Sequence, residues 1–272
     1  MESLAISDQE FVLFQRLIYR LAGINLTAGK KLLLVGRLAS RLRHHGMTRF
    51  GEYYRLLASG DHPTEVQLMV DLLTTHETYF FREPVHFDFL REFAASRRGM
   101  PIRVWSGACS SGEEPYSIAM ELAETLGLSA PWEIVASDIS LTELERAKHG
   151  HYPLGRASGI APELLKAYCL KGVRSQEGTF LIGKPLRDRI CFRQLNLTDL
   201  AGCDIGLFDV IFLRNVMIYF DLETKRKVMS NMLPYLKRDG VFIVGHSETL
   251  NGITDELVSL RPTLYRRPGS KP

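Results

Sequence analysis

The 272-residue chain lacks paired cysteines, an apolar run long enough to cross a membrane, and a large charge of either sign. Its four cysteines show no CxxC or Cys/His spacing, which argues against disulfides and a metal site. Met1–Glu10 is polar and acidic, unlike a signal peptide. A formal net charge of +3 is too small to indicate nucleic-acid binding. We expect a cytoplasmic protein without metal, nucleic acid or membrane insertion.

Hydrophobic spacing divides the chain into two parts. Up to residue 73 it predicts helices only, at about 8–22, 30–45, 50–59 and 63–73. After residue 100 apolar strand-like runs (101–106, 132–137, 207–213, 240–245) alternate with predicted helices (115–126, 140–148, 222–236). Such alternation is typical of a parallel sheet with helices on both faces. Glycines and a proline break up 168–195, which predicts a small antiparallel insert.

The stretch 103–118, RVWSGACSSGEEPYSI, runs from a strand through a small-residue loop into a helix start. In an open α/β sheet this is the usual place for a nucleotide-like ligand. Glu113 and Glu114 in the first helical turn would repel a phosphate and attract a cation. The loop therefore indicates S-adenosylmethionine and disfavours NAD. Cys109 is interpreted as packing, because no base stands at a recognisable spacing.

Polar residues end two further strands. Asp138 follows the second strand, where such sheets hold a ribose. The alternative is that Asp138 caps the next helix, or that Ser140 does so and Asp138 is incidental. Arg214 and Asn215 end the strand 207–213 and would face the ligand crevice, although solvated residues also end strands.

The segment Thr74–Glu83, TTHETYFFRE, joins the two parts and is too apolar for a solvated linker. We interpret its aromatic run 79–81 as a buried contact between domains. Arg82 and Thr78 would face the ligand, because a buried arginine needs an anionic partner.

The second helix carries a basic face and has no acids nearby between residues 28 and 51. Helical spacing places this face away from the apolar stripe that includes Leu34. A solvated face is the ordinary interpretation, but the local lack of acids favours docking of an acidic partner. The basic residues are Lys30, Arg37, Arg41, Arg43, His44 and His45.

Six motifs together resemble the chemotaxis-receptor protein-glutamate methyltransferases of the CheR type. They are TTHETYFFRE, RVWSGACSSGEEPYSIAM, ASDI, QLNL, FDVIFLRNVMIYF and GHSE, in the family's order. The resemblance implies a helical N-terminal receptor-docking domain at 1–73 and a linker at 74–83 that contributes to the cofactor site. It implies a Rossmann-like α/β methyltransferase domain at 84–272, with the antiparallel β-subdomain inserted at about 168–195.

The resemblance also implies the site. Cofactor contacts would be made by His76, Thr78, Arg82, Glu114, Asp138, Asn196, Leu197, Arg214 and Asn215. Arg82 and Tyr219 would be catalytic, with Tyr219 beside the transferred methyl group, although its apolar surroundings also fit a core position. Lys30, Arg37, Arg41 and Arg43 would dock the receptor. His76 departs from the family, which often has Asn there.

The implied reaction converts S-adenosylmethionine to S-adenosylhomocysteine and methylates glutamates on the cytoplasmic helical bundle of a chemoreceptor. Glutamate is ionised at pH 7, so no general base is required. The β-subdomain would bind a receptor C-terminal peptide, and the protein would act as a monomer. A non-catalytic adaptor that binds S-adenosylmethionine, and a methyltransferase for another substrate, are the alternatives.

Overall fold

The first helix of the protein begins at a capping box. In the computed structural model, which describes residues 5–269, the Glu10 backbone N–H donates to Ser7 Oγ at 3.2 Å. The Ser7 N–H in turn donates to Glu10 Oε2 at 2.9 Å. The helical region comprises α1 (Asp8–Ala22), α2 (Lys31–His44), α3 (Phe50–Ala58) and α4 (Pro63–Leu73). All four follow the predicted helices within one residue.

The second region is built on a seven-stranded sheet. Its strands are β1 (Ile102–Gly107), β2 (Trp132–Asp138), β6 (Ile190–Gln194), β7 (Phe208–Leu213), β8 (Leu236–Val244), β9 (Val258–Arg261) and β10 (Leu264–Arg266). Their order is β6-β2-β1-β7-β8-β10-β9. The first five are parallel, whereas β10 and β9 add an antiparallel edge. The predicted fold class is confirmed, but the antiparallel hairpin was not predicted.

Helices cover both faces of this sheet, which lies between two apolar clusters, one around Phe87 and Tyr116, the other around Trp105 and Met232. The helices of the second region are α5 (Val85–Ser96), α6 (Glu113–Leu126), α7 (Leu141–His149), α8 (Pro162–Tyr168), α9 (Lys184–Arg187) and α10 (Leu222–Met232). Helix α5 was not predicted from the sequence. Helix α10 ends four residues earlier than predicted, because the backbone tightens into a 3₁₀ turn around Pro234.

The structure contains the predicted antiparallel insert, but its predicted bounds of about 168–195 are wrong at both ends. Its sheet contains β3 (His151–Pro153), β4 (Cys169–Lys171) and β5 (Thr179–Ile182), in the order β3-β5-β4. The insert, here 151–182, therefore begins earlier because β3 pairs with a distant strand. Residues 190–194 instead form β6, which pairs in parallel with β2. The pairing partners of such short strands cannot be inferred from the local sequence.

The predicted basic face of α2 is corrected by the structure. Arg41 donates to both carboxylate oxygens of Glu65 at 2.8 and 2.6 Å, and Tyr53 Oη donates to the same group at 2.7 Å. Arg37 donates to the carbonyl of Thr74 at 2.5 Å. Both arginines therefore hold internal contacts. Their partners lie on other elements, outside the acid-free window of the sequence.

The other two predicted docking residues, Lys30 and Arg43, are exposed. No helix within residues 5–269 combines the length and apolar character needed to cross a membrane.

The Glu65 cluster predicts an acid-sensitive stability. Burial would raise the pKa of Glu65, but Arg41, Tyr53 and His45 lower it from 4.5 to about 2. A lowered folded-state pKa contributes stability above the unfolded value, and this stability is lost as the pH falls from 4.5 towards 2. At about 1.4 kcal/mol per pKa unit, the contribution of Glu65 to the free energy of unfolding is at most roughly 3 kcal/mol. Solvent screening reduces this contribution further.

We expect Glu65→Gln to unfold at lower urea concentration than the wild type at pH 7, with a difference that shrinks towards the acid end of that range. Urea denaturation at a series of pH values measures both. Glu163→Gln, at an exposed position on α8, is the control. An undiminished difference at low pH would contradict the assignment.

Candidate functional site

The candidate site is a cleft of about 1330 Å³, including its open mouth, at the carboxyl ends of β1, β2 and β7. This is where the strand order changes direction and where ligands bind in open α/β sheets. The linker 74–83 closes one side and residues 22–33 of the helical domain close another.

The structure brings the predicted cofactor and catalytic residues together. The cleft is lined by His76, Thr78, Arg82, Glu114, Asp138, Asn196, Leu197, Arg214, Asn215 and Tyr219. Which ligand atoms each of them contacts stays a prediction. Lys30, assigned from the sequence to docking, also lies on this cleft.

The loop between β1 and α6 is held open by unusual backbone geometry. Ala108 and Ser110 have φ of 57° and 49°, in the left-handed region. Gly112 has φ of 97°, and a Cβ there would lie 2.8 Å from the Cβ of Ala147.

Burial raises the pKa of the Cys109 thiol well above its usual range. A buried, protonated thiol agrees with the packing interpretation.

Asp138 links this loop to β2. Its Oδ2 accepts the Ser110 N–H at 2.8 Å and its Oδ1 accepts the Ser140 N–H at 2.9 Å. Burial raises its pKa, although these two amides oppose the rise. Ser140, and not Asp138, caps α7, because its Oγ accepts the Glu143 N–H at 3.2 Å. Asp138 is therefore a loop anchor that also lines the cleft.

Glu114 and Arg214 form the charged floor of the cleft. Glu114 Oε1 accepts from Ser106 Oγ at 2.6 Å, and its Oε2 accepts from Arg214 Nη1 at 3.0 Å. Burial raises the pKa of Glu114, and the Arg214 guanidinium opposes this rise. Arg214, with its side chain 1% exposed, also pairs with Glu83 Oε2 at 3.1 Å and donates to the carbonyl of Arg82.

Sequence reasoning missed Glu83. The Asn215 Nδ2 donates to its Oε1 at 3.1 Å, so the amide is already engaged with the linker. Burial would raise the pKa of Glu83, but Arg214 and Asn215 hold it below its usual value. A signal was present, because Glu83 ends the motif that contains Arg82.

Glu248 is the second residue missed. Its carboxylate accepts the backbone N–H groups of Asn215 at 2.8 Å, Met217 at 2.8 Å and Gly245 at 2.7 Å. It thereby fixes the turn that carries Asn215, whose φ is 58°. An acid just beyond a buried strand was the available signal. The nearby His246 is exposed.

Arg82 differs from Arg214 because its charge is not neutralised internally. Its Nη1 donates to the carbonyl of Glu77 at 3.0 Å, and its guanidinium lies 5.6 Å from the ring centroid of Tyr79. In residues 5–269 it forms no ion pair with a carboxylate. The linker arginine is half-exposed, not buried as expected, and remains available to an anion.

The aromatic residues of the linker differ in their burial. Phe80 is buried and contacts the rings of Tyr152 and Phe180 in the insert, at centroid distances of 5.1 and 5.8 Å. Tyr79 is exposed and lines the cleft. The predicted burial is confirmed for Phe80, although these contacts lie within the second region and not between the domains, and it is wrong for Tyr79.

The helical domain supplies a wall that the sequence did not predict. The Asn25 N–H donates to the carbonyl of Tyr219 at 2.9 Å. The Asn196 Nδ2 donates to the carbonyl of Leu21 at 2.7 Å, while its Oδ1 accepts from Thr198. These contacts join both regions around the cleft.

The donor set fits S-adenosylmethionine. Asp138 keeps acceptor capacity beyond its two amide contacts, as a ribose diol requires. Glu114 is a buried acid suited to an ammonium, and Arg82 is a cation suited to a carboxylate. Leu195 and Ile139 provide apolar surface for a base.

Two family models match this chain. The family model described as "CheR methyltransferase, SAM binding domain" matches residues 76–265, and "CheR methyltransferase, all-alpha domain" matches residues 9–74.

Relatives match over nearly the whole chain. The chemotaxis protein methyltransferase of Escherichia coli K12 is 42% identical over 97% of this chain and 92% of its own length. That of Borreliella burgdorferi is 37% identical over 96% of this chain and 95% of its own length. The crystal structure of the glycopeptide N-methyltransferase MtfA complexed with S-adenosylmethionine shows 15% identity and a TM-score of 0.38 over 66% of this chain and 65% of that chain. The chain belongs to the CheR family of S-adenosylmethionine-dependent chemotaxis methyltransferases.

Proposed function

We propose that this methyltransferase esterifies glutamate side chains on the cytoplasmic helical bundle of bacterial chemoreceptors. The observation that carries the proposal is the pair of cations on the cleft that no carboxylate neutralises. Within the described part of the chain, Lys30 and Arg82 line the cleft and form no ion pair with a carboxylate. An anionic acceptor is the substrate that they would attract. The names of the relatives support a substrate in chemotaxis.

The chemistry suits this site. When bound, S-adenosylmethionine supplies a methyl group on a sulfonium cation. An ionised glutamate needs no general base. Both charges vanish in the products, so exclusion of water favours transfer. Holding the acceptor in line can supply up to roughly 7–11 kcal/mol.

We assign Asp138 to the ribose hydroxyls and Glu114 to the ammonium of the cofactor. Arg82 and Tyr219 orient the methionyl end and the acceptor carboxylate. Further cofactor contacts fall to His76, Thr78, Asn196, Leu197 and Asn215. Because the Arg214 guanidinium and the Asn196 amide are already paired, we assign the first to holding Glu114 and the second to backbone contact with the ligand.

Docking of the receptor is assigned to Lys30 and Arg43 and no longer to Arg37 or Arg41. A receptor C-terminal peptide would bind the insert, where exposed Leu170 and Val173 lie beside Lys171 in a groove. The protein would act as a monomer.

The ribose assignment predicts a ligand-specific defect. We expect Asp138→Ala to bind S-adenosylhomocysteine roughly ten- to hundredfold more weakly by calorimetry, since hydrogen bonds to a charged group contribute about 1.5–3 kcal/mol. The 2′,3′-dideoxy analogue should lose less affinity than S-adenosylhomocysteine, because it lacks the ribose hydroxyls and is affected only by the lost loop anchor. Asp239→Ala, at an exposed position, is the control. An equal loss for both ligands would show that Asp138 acts only through the loop.

The acceptor assignment is tested with radiolabelled S-adenosylmethionine and candidate receptor cytoplasmic fragments. We expect base-labile label that disappears when the acceptor glutamates are replaced by alanine. Arg82→Met should lower kcat/KM roughly ten- to hundredfold through a lost charged contact, whereas exposed Arg98→Met should not. Label on DNA or a metabolite alone would indicate another substrate, and binding without transfer would indicate an adaptor. Either result overturns the proposal.

A further inference from the structure

Glu113, the first residue of α6, is an acid removed from water. Its side chain is 0% exposed, and its Oε2 accepts from Ser111 Oγ at 2.7 Å. Burial raises its pKa, and Arg156 and Ser111 oppose the rise. Within residues 5–269, Arg156 is the only cation that pairs with it, at 2.7 Å between Nη1 and Oε1. The charge of Glu113 therefore depends on an arginine from the insert.

The same guanidinium nitrogen also reaches the linker. Arg156 Nη1 donates to the carbonyl of Thr78 at 2.9 Å. Thr78 and Glu114, the neighbour of Glu113, both line the cleft, whereas Arg156 does not. Arg156 therefore contacts two elements that shape the cleft without touching a ligand in it.

Further contacts tie the insert to the same two elements. A Cβ on Gly159 would lie 2.1 Å from the carbonyl oxygen of Phe80, so only glycine allows this approach. Tyr152 Oη donates to the carbonyl of Ser111 at 2.6 Å. The insert thus contacts the linker and the loop before α6 at several points, and Arg156 provides the charged contact between them.

We propose that Arg156 is a positioning residue that couples the insert to the cofactor cleft by neutralising Glu113 and holding the Thr78 carbonyl. Without the guanidinium, the buried Glu113 carboxylate has no counter-charge. It must then take up a proton or turn towards water, and the turn towards water displaces the start of α6. Glu114 and Thr78 would then lose their positions. The inference concerns cofactor binding and is independent of which substrate accepts the methyl group.

The test measures binding of S-adenosylhomocysteine by calorimetry, without any methyl acceptor. We expect Arg156→Met to weaken binding at least tenfold and to raise KM for S-adenosylmethionine more than it lowers kcat. Glu113→Gln in the same chain should restore affinity to within about threefold of Glu113→Gln alone, because a neutral amide needs no counter-charge. A purely structural loss would not show this rescue.

Arg91→Met is the matched control, because Arg91 pairs with Glu121, another buried acid of α6, at 2.6 Å but lies away from the cleft. Thermal unfolding of each variant measures stability separately. If Arg156→Met does not fold, Arg156→Lys is expected to bind S-adenosylhomocysteine three- to fivefold more weakly, since a lysine keeps the charge but lacks the planar guanidinium that is held between the two acceptors. Unchanged affinity, equal effects of the Arg156 and Arg91 variants, or absence of rescue would overturn the proposal.

Discussion

A guanidinium that is shut away from water must be paired, and Arg214 meets this requirement with carboxylates from two distant parts of the chain. Glu83 belongs to the linker and Glu114 to α6, whereas Arg214 itself ends β7. Because an arginine does not lose its proton, the three elements stay together as long as this charge is buried. The cleft exists between them, so its shape depends on this pairing.

Glu113, the other acid at the start of α6, is also buried and paired with an arginine. Glu113 is paired with Arg156 of the insert, so each of two adjacent carboxylates is held by an arginine from a different element. Two arginines, Arg156 and Arg214, are thereby paired with three carboxylates around the site. The cations that remain, Lys30 and Arg82, stand on the cleft, where an anionic group can approach. This distribution separates residues that build the site from residues that are free to act in it.

Much of the architecture followed from local signals. Helices α1–α4 were predicted because each carries a regular apolar spacing, and β7 because its burial on both faces makes a continuous apolar run. The insert bounds and the hairpin β9–β10 were not, since strands of three to five residues become recognisable only beside their partners. The cleft residues were predicted largely through motifs, which preserve spacing but do not show which side chains pair internally.

The sequence by itself determined the class of fold and the position of the cofactor loop, because glycines and acids near a helix start act over a few residues. Tertiary structure alone decided which charged side chains are paired within the protein. Arg41 pairs with Glu65 of another helix and Arg214 pairs with Glu83 and Glu114, whereas Arg82 has no carboxylate partner in residues 5–269. Such pairings join residues up to 131 positions apart, and no local pattern encodes them, since charge compensation depends on distance in space.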